Sequence, residues 1–267
     1  MQISRPFRGF LWAATGCTLA LIYIPLLLIG LYAFNQSRSQ TWPIPGFTLR
    51  WAQDAITNPG ARDALLLSVQ VALIATALAL VLGSLLAFAV HRYRFFGRSA
   101  VSFLIILPIA LPGVVTGIAL NASFRNLFGG LSLLTLIIAH ATFCVVVIYN
   151  NVIARLRRTA ASYEEASADL GADSFQTFRF VTFPLIRSAL LAGALLAFAL
   201  SFDEIIVTTF TAGTRETLPI WIFTNISRPN QLPIVNAVAL AVIVLSAIPV
   251  YLAQRISSDA VSISERR

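Results

Sequence analysis

The residues able to do chemistry are few, and they interrupt long apolar runs. Asp203 and Glu204 stand inside an otherwise uncharged stretch, residues 188–210. Carboxylates there cost free energy in a low dielectric unless they face a polar interior, a water-filled path or an interface. One reading makes them a negative lining for a passing cation. The other makes them outer-interface groups, solvated or paired with Arg215 or Arg228. Adjacent helix positions point about 100° apart, so the pair does not face one cavity. Phe202, Thr208 and Asn121 join them as candidate path residues; Asn121 and His140 either line a path or hydrogen-bond between helices.

Hydrolytic and metal chemistry find no support. The chain has 2 histidines, His91 and His140, and neither stands in a His-Glu-x-x-His motif or a placed Ser–His pair. Cys17 and Cys144 show no metal spacing and read as small buried hydrophobes. No catalytic residue and no metal ligand is expected. All 19 basic residues are arginine. Without lysine there is no Walker A phosphate loop and no Schiff base. The net charge of +8 does not indicate nucleic acid, because the arginines sit in short joints between apolar runs. His91, beside Arg92 and Arg94, reads as an interfacial anchor.

The elements that hold these residues are dictated by composition. Apolar residues make up 58% of the 267 and charged residues 11%, about half the charge of a soluble domain. Charge-free runs cover residues 9–37, 64–90, 99–124, 126–154 and 229–254, each longer than the roughly 20 residues that cross a bilayer core. Together with 188–210 they predict six helices, near residues 11–34, 65–90, 101–122, 131–153, 187–210 and 234–253. The first run is too long for a signal-peptide core despite Arg5 and Arg8, so it is expected as a retained span.

With a cytoplasmic N-terminus, thirteen of the 19 arginines fall inside, which places both termini in the cytoplasm. Trp42, Trp51 and Trp221 then fall near the outer interface. The outer loop 35–63 breaks at Pro43 and Pro45, carries a short amphipathic helix around residues 49–56 and ends at Asn58-Pro59-Gly60. Pro108, Pro112, Gly113 and Gly117 predict a kink in the third span, either lining a path or serving a close helix crossing.

The joint between spans four and five is the richest stretch. Ser162-Tyr163-Glu164-Glu165 fits a capping box for a helix running to Leu170, and Gly171 suits the left-handed turn that ends it. Asp173-Ser174-Phe175-Gln176 is a second cap, opening a helix toward Val181 that Pro184 is expected to stop. Ala166, Leu170, Phe175 and Phe178 give this element an apolar face. It either lies on the membrane surface or fits a groove in a soluble partner.

Here the sequence resembles the EAA motif of binding-protein-dependent ABC importer permeases. Glu165-Ala166-Ser167, then Gly171, then Val181-Thr182-Phe183-Pro184 keep the family spacing, with Ser167, Val181 and Phe183 as mild departures. The likeness extends to residues 106–120, 140–158, 198–213 and 217–223, and is strongest to the spermidine/putrescine group. It implies an all-α integral membrane protein of six transmembrane helices. The implied fold is the type I ABC importer (MetI-like) permease, a single transmembrane domain with a coupling element at residues 160–184. It implies an inner-membrane location, a second homologous permease, two ATPase subunits that use ATP and magnesium, and an external binding protein. This chain itself would bind no cofactor. The implied ATPase-coupling residues are Glu164, Glu165, Ala166, Asp169, Gly171, Ala172, Phe175, Phe178 and Pro184, and the implied solute is a polyamine. The competing expectation is an ion-gradient-driven carrier or channel, which would use paired intramembrane acids and inverted repeats; no internal repeat is evident.

Overall fold

A backbone surrounded by hydrocarbon must satisfy its own hydrogen bonds, so long apolar runs of this kind fold as helices. The computed structural model of the chain describes residues 5–246. Among them every regular element is helical, apart from one isolated antiparallel bridge between Asn35 and Phe47. The helices are α1 (Arg5–Ala33), α2 (Arg50–Thr57), α3 (Pro59–Arg92), α4 (Arg98–Ala110), α5 (Gly113–Phe128), α6 (Leu133–Arg158), α7 (Ser162–Asp169) and α8 (Ser174–Thr177). A π-turn, Phe178–Thr182, leads into α9 (Phe183–Phe202), followed by α10 (Ile206–Thr211), α11 (Leu218–Asn225) and α12 (Leu232–Ser246).

Four helical stretches are long and apolar enough to cross a bilayer: Pro6–Ala33, Pro59–Arg92, Leu133–Arg158 and Ser174–Phe202. The bent pair α4–α5 makes a fifth if counted as one span. The sixth expected span, residues 234–253, begins within α12, and its last part lies outside the described residues.

The described chain divides into two compact units. One contains the residues up to Arg62 and those from Trp221; the other is Asp63–Ile220. In the first, Ala33, Trp51 and Ala237 form a small core with Ile234 and Leu240. Trp51 and Trp221 are buried there. The Trp51 indole Nε1 donates to the Asn35 carbonyl at 2.7 Å. Trp42 alone of the three stays exposed. The Asn58 side chain accepts from the Ala61 amide at 2.9 Å, so α3 starts at Pro59, earlier than expected. Helix α1 leaves Trp12 and Leu21 more than two-thirds exposed, and Cys17 is exposed with them, contrary to expectation.

In the second unit α6 is the buried centre, with Leu136, Ile148 and Val152 fully covered. Two glycines let its neighbours approach closely. A Cβ on Gly83 of α3 would lie 2.8 Å from Ile148 Cβ, and one on Gly193 of α9 would lie 3.2 Å from Ile148 Cδ1.

The third expected span departs from a simple kink. Helices α4 and α5 meet at 105°, because Leu111 and Pro112 are both extended, with ψ of 147° and 132°. Proline disfavours the helical region for the residue before it, and Leu111 takes the extended alternative. The small residues form a close helix crossing: Gly113 and Gly117 pack on Ile206 and Phe210 of α10, and a Cβ on Gly117 would sit 2.6 Å from the Phe210 ring.

The fifth span also differs from expectation. Pro184 does not stop a helix; α8, the π-turn and α9 run on as one 29-residue stretch, Ser174–Phe202. The π-turn bonds Phe183 N–H to the Phe178 carbonyl, and Pro184 follows in the first turn of α9, where its missing N–H costs little. At its far end the span stops at Phe202, not at residue 210.

Candidate functional site

Two places interrupt helices with polar residues, at opposite ends of Ser174–Phe202, a length of roughly 40 Å.

The first is the joint of α7 and α8. The expected Ser162 capping box is not formed, because Ala161 is already helical and serves as the N-cap without a side-chain bond. A capping hydroxyl must leave from an extended residue, and Ser162 is the first residue of the helix proper. The exit is as expected. Gly171, at φ +80°, donates to the Ala168 carbonyl at 2.9 Å, and Ala172 donates to the Ser167 carbonyl at 3.1 Å. Asp173 then caps α8: Gln176 N donates to Asp173 Oδ1 at 2.8 Å, and Asp173 N donates to Gln176 Oε1 at 3.0 Å.

The two faces of α7 carry different chemistry. Glu164 and Ser167, three apart and so on one side, turn inward. Ser167 Oγ meets Thr177 Oγ1 at 3.0 Å, tying α7 to α8. Glu164 Oε1 accepts from Arg92 Nη2 at 2.6 Å and from Thr182 Oγ1 at 2.8 Å. Burial alone would raise the Glu164 carboxyl; the Thr182 hydroxyl and the Arg92 guanidinium outweigh it and hold the group below the usual carboxylate range. On the outward side Tyr163, Ala166 and Leu170 form an uncovered stripe, with Leu170 89% and Phe175 74% exposed. Glu165 and Asp169 are exposed beside it, and Ala172 is half-buried. Phe178 turns back to the bundle, edge-on to the Phe88 ring at 5.8 Å, with Phe183 at 6.2 Å.

Sequence reading missed the Ser167–Thr177 and Arg92–Glu164–Thr182 contacts. Ser167 registered only as a departure from the motif. Arg92 lies 72 residues from Glu164, beyond any local pattern.

The second place is the break between α9 and α10. Glu204 Oε1 accepts from the Val207 amide at 2.9 Å, so this candidate path residue caps α10. Thr208 Oγ1 donates to the Glu204 carbonyl at 2.7 Å. His140 Nε2 lies 3.0 Å from Thr208 Oγ1, and Nδ1 lies 2.8 Å from Ser201 Oγ. His140 is fully buried, and this network joins α6, α9 and α10. Asn121 of α5 donates to the Phe210 carbonyl and accepts from Arg125 Nε at 2.9 Å. Of the expected path residues, Thr208 and Asn121 are thus bonded within the bundle, Phe202 is half-buried, and Asp203 is exposed. Among the described residues neither Asp203 nor Glu204 makes an ion pair.

Comparison with known proteins bears on both places. Residues 79–262 match the family described as binding-protein-dependent transport system inner membrane component. The spermidine/putrescine transport system permease protein PotC of Escherichia coli K12 is 34% identical over 260 residues, covering 97% of this chain and 96% of that protein. PotC of Haemophilus influenzae is 34% identical over 89% of this chain and 92% of its own length. The putrescine transport system permease protein PotI of E. coli K12 is 34% identical over 85% of this chain and 82% of its own. Among solved structures, a bacterial ABC transporter that imports the acidic polysaccharide alginate matches with a TM-score of 0.71 at 18% identity, covering 97% of this chain and 99% of the other. The MetNI methionine ABC transporter matches at 0.58 and 18% identity, over 74% and 92%.

Proposed function

The chain belongs to the family of binding-protein-dependent transport system inner membrane components, the permease subunits of ABC importers, and from that premise we propose that its solute is a polyamine such as spermidine or putrescine. It pairs with a second, similar permease to enclose the path. Two ATPase subunits supply the energy from ATP and magnesium, and an external binding protein delivers the solute. Six spans with both termini in the cytoplasm set the α7–α8 joint on the ATPase side.

The observation that carries the coupling role is the bare Tyr163–Ala166–Leu170 stripe on an element of EAA spacing. Large apolar side chains that project into water from a capped, rigid joint call for a protein cover. Glu165, Asp169 and Phe175 flank that stripe, and Gly171 fixes the angle between the two short helices. Closure of the ATPase pair would displace α7 and α8, and the unbroken Ser174–Phe202 helix would carry the displacement to the α9–α10 break.

At that break Asp203 is the group suited to a cationic amine. It is exposed, and it stands at the C-terminal end of α9, where unpaired carbonyls add negative potential. Glu204 offers less, since its carboxylate is occupied with the start of α10. The family membership does not favour an ion-gradient carrier working without an ATPase.

The test is reconstitution with the cognate partners and measurement of ATP-driven uptake of labelled spermidine and putrescine against neutral solutes. Polyamine uptake that needs ATP and the binding protein is expected, and Asp203→Asn should lower it severalfold, roughly the effect of about 1 kcal/mol. ATP-driven uptake with no preference for amines would overturn the solute. Uptake by this chain alone on a proton gradient would overturn the whole reading.

A further inference from the structure

Glu164 immediately precedes the motif's Glu165, and the resemblance implies a coupling role for both. Their surroundings differ. Glu165 is exposed, whereas the Glu164 carboxylate is engaged by Arg92 at the end of α3 and by Thr182 at the end of the π-turn. Arg92 also lies over the Phe88 ring, 5.8 Å from its centroid, and Phe88 meets Phe178 at the first position of the π-turn. A polar contact and an aromatic contact therefore clamp the same two elements, with α7 tied in through one side chain. Ser167, on the same face of α7, adds the bond to Thr177.

We propose that Glu164 is an internal positioning residue, which locks α7 to α3 and to the root of α9 so that a push on α7 moves both helices together. The proposal rests on the coupling role given above and deepens it. Held only by its hinge, α7 would swing when pushed and dissipate the stroke. With the Arg92–Glu164–Thr182 contact in place, the joint and two long helices move as one body. Glu165 is left as the acid that meets the partner.

The experiment uses the full reconstituted transporter carrying Glu164→Ala, Arg92→Ala or the exchanged pair Glu164→Arg with Arg92→Glu. Two quantities are read: co-purification of the ATPase subunit, and solute imported per ATP hydrolysed. The expected result is that both alanine variants retain the ATPase subunit while import per ATP falls about fivefold, the scale of a partly exposed charge-assisted contact. The exchanged pair should recover at least half of the loss. Unchanged import per ATP in both alanine variants overturns the proposal. So does loss of the ATPase subunit from Glu164→Ala alone, because Glu164 would then face the partner directly. Failure of the unaltered chain to bind any ATPase subunit is a different result, and it removes the coupling role itself.

Discussion

The α7–α8 joint and the α9–α10 break place polar residues between helices in opposite ways. At the joint, polar side chains turn inward to hold the shape, and the apolar ones, Leu170 and Phe175, stand uncovered. At the break, the polar side chains of His140, Ser201 and Thr208 are buried and mutually bonded, and the backbone is closed by Glu204. The solvent explains the contrast. A segment in water can leave apolar groups bare only where something covers them. A segment within a bilayer must satisfy its backbone polar groups internally. The first region keeps a bare apolar stripe on a polar-clamped joint, and the second closes a bend with a buried polar network.

The sharpest way to break this comparison is to charge the bare stripe. Leu170→Glu combined with Phe175→Glu should leave the isolated permease within about 0.5 kcal/mol of its original stability, since both side chains are already in solvent. Binding of the ATPase subunit should fall by two orders of magnitude or more, because central apolar anchors contribute about 2 kcal/mol each. Titration of the detergent-purified permease with the ATPase subunit, beside a thermal melt, reads both quantities. A large drop in melting temperature would mean that these side chains are packed in the free chain and that the two regions are not opposites.

The complementary change at the break is His140→Leu. It removes the imidazole contacts of Ser201 and Thr208. Measured hydrogen bonds in membrane bundles average below 1 kcal/mol, so a loss of about 1 kcal/mol is expected, with ATPase binding unaltered. His140→Gln, which can bond both hydroxyls, should recover part of it. If His140→Leu abolished transport while the melt stayed unchanged, His140 would be working in the solute path instead of holding the bend.

How far each region could be read from the chain follows from the range of the forces that shape it. The Asp173 cap, the Gly171 turn and the apolar stripe are written within a few residues of one another, and the local pattern sufficed. Ser162 failed for a local reason as well: the pattern matches a capping box, but the preceding Ala161 had already turned helical. Long apolar runs located four span-length helices and the bent pair α4–α5, yet they could not report that Leu111 and Pro112 turn that pair through 105°. Nor could they show that a π-turn carries the fifth past Pro184. Both outcomes depend on what packs alongside. Arg92 lies 72 residues from Glu164, the two partners of His140 lie 61 and 68 away, and nothing in the intervening sequence marks them. Glu204 was singled out because acids in apolar runs are rare, but its function as a cap depends on α9 ending at Phe202.

The smallest expected effect concerns acid. Arg92 and Thr182 hold the Glu164 carboxyl below its ordinary value despite the burial that would raise it. A group whose folded value is depressed binds its proton more readily when unfolded, so its contribution is complete above the ordinary carboxylate range. It is lost as pH falls through that range and then through the lower folded value. Across neutral and mildly acidic pH the clamp between α7 and α3 should therefore stay intact. The side chains of Arg92 and Glu164 remain 39% and 36% exposed, so solvent screens the pair and the whole effect stays below about 1 kcal/mol. Thermal melts of the permease and its Glu164→Gln variant should run parallel above pH 6 and converge below about pH 4. Curves that converge already at pH 6 would place the carboxyl above the ordinary range and show that desolvation, not Arg92, governs it. The joint would then resemble the buried network at the break more than the water-facing clamp described here.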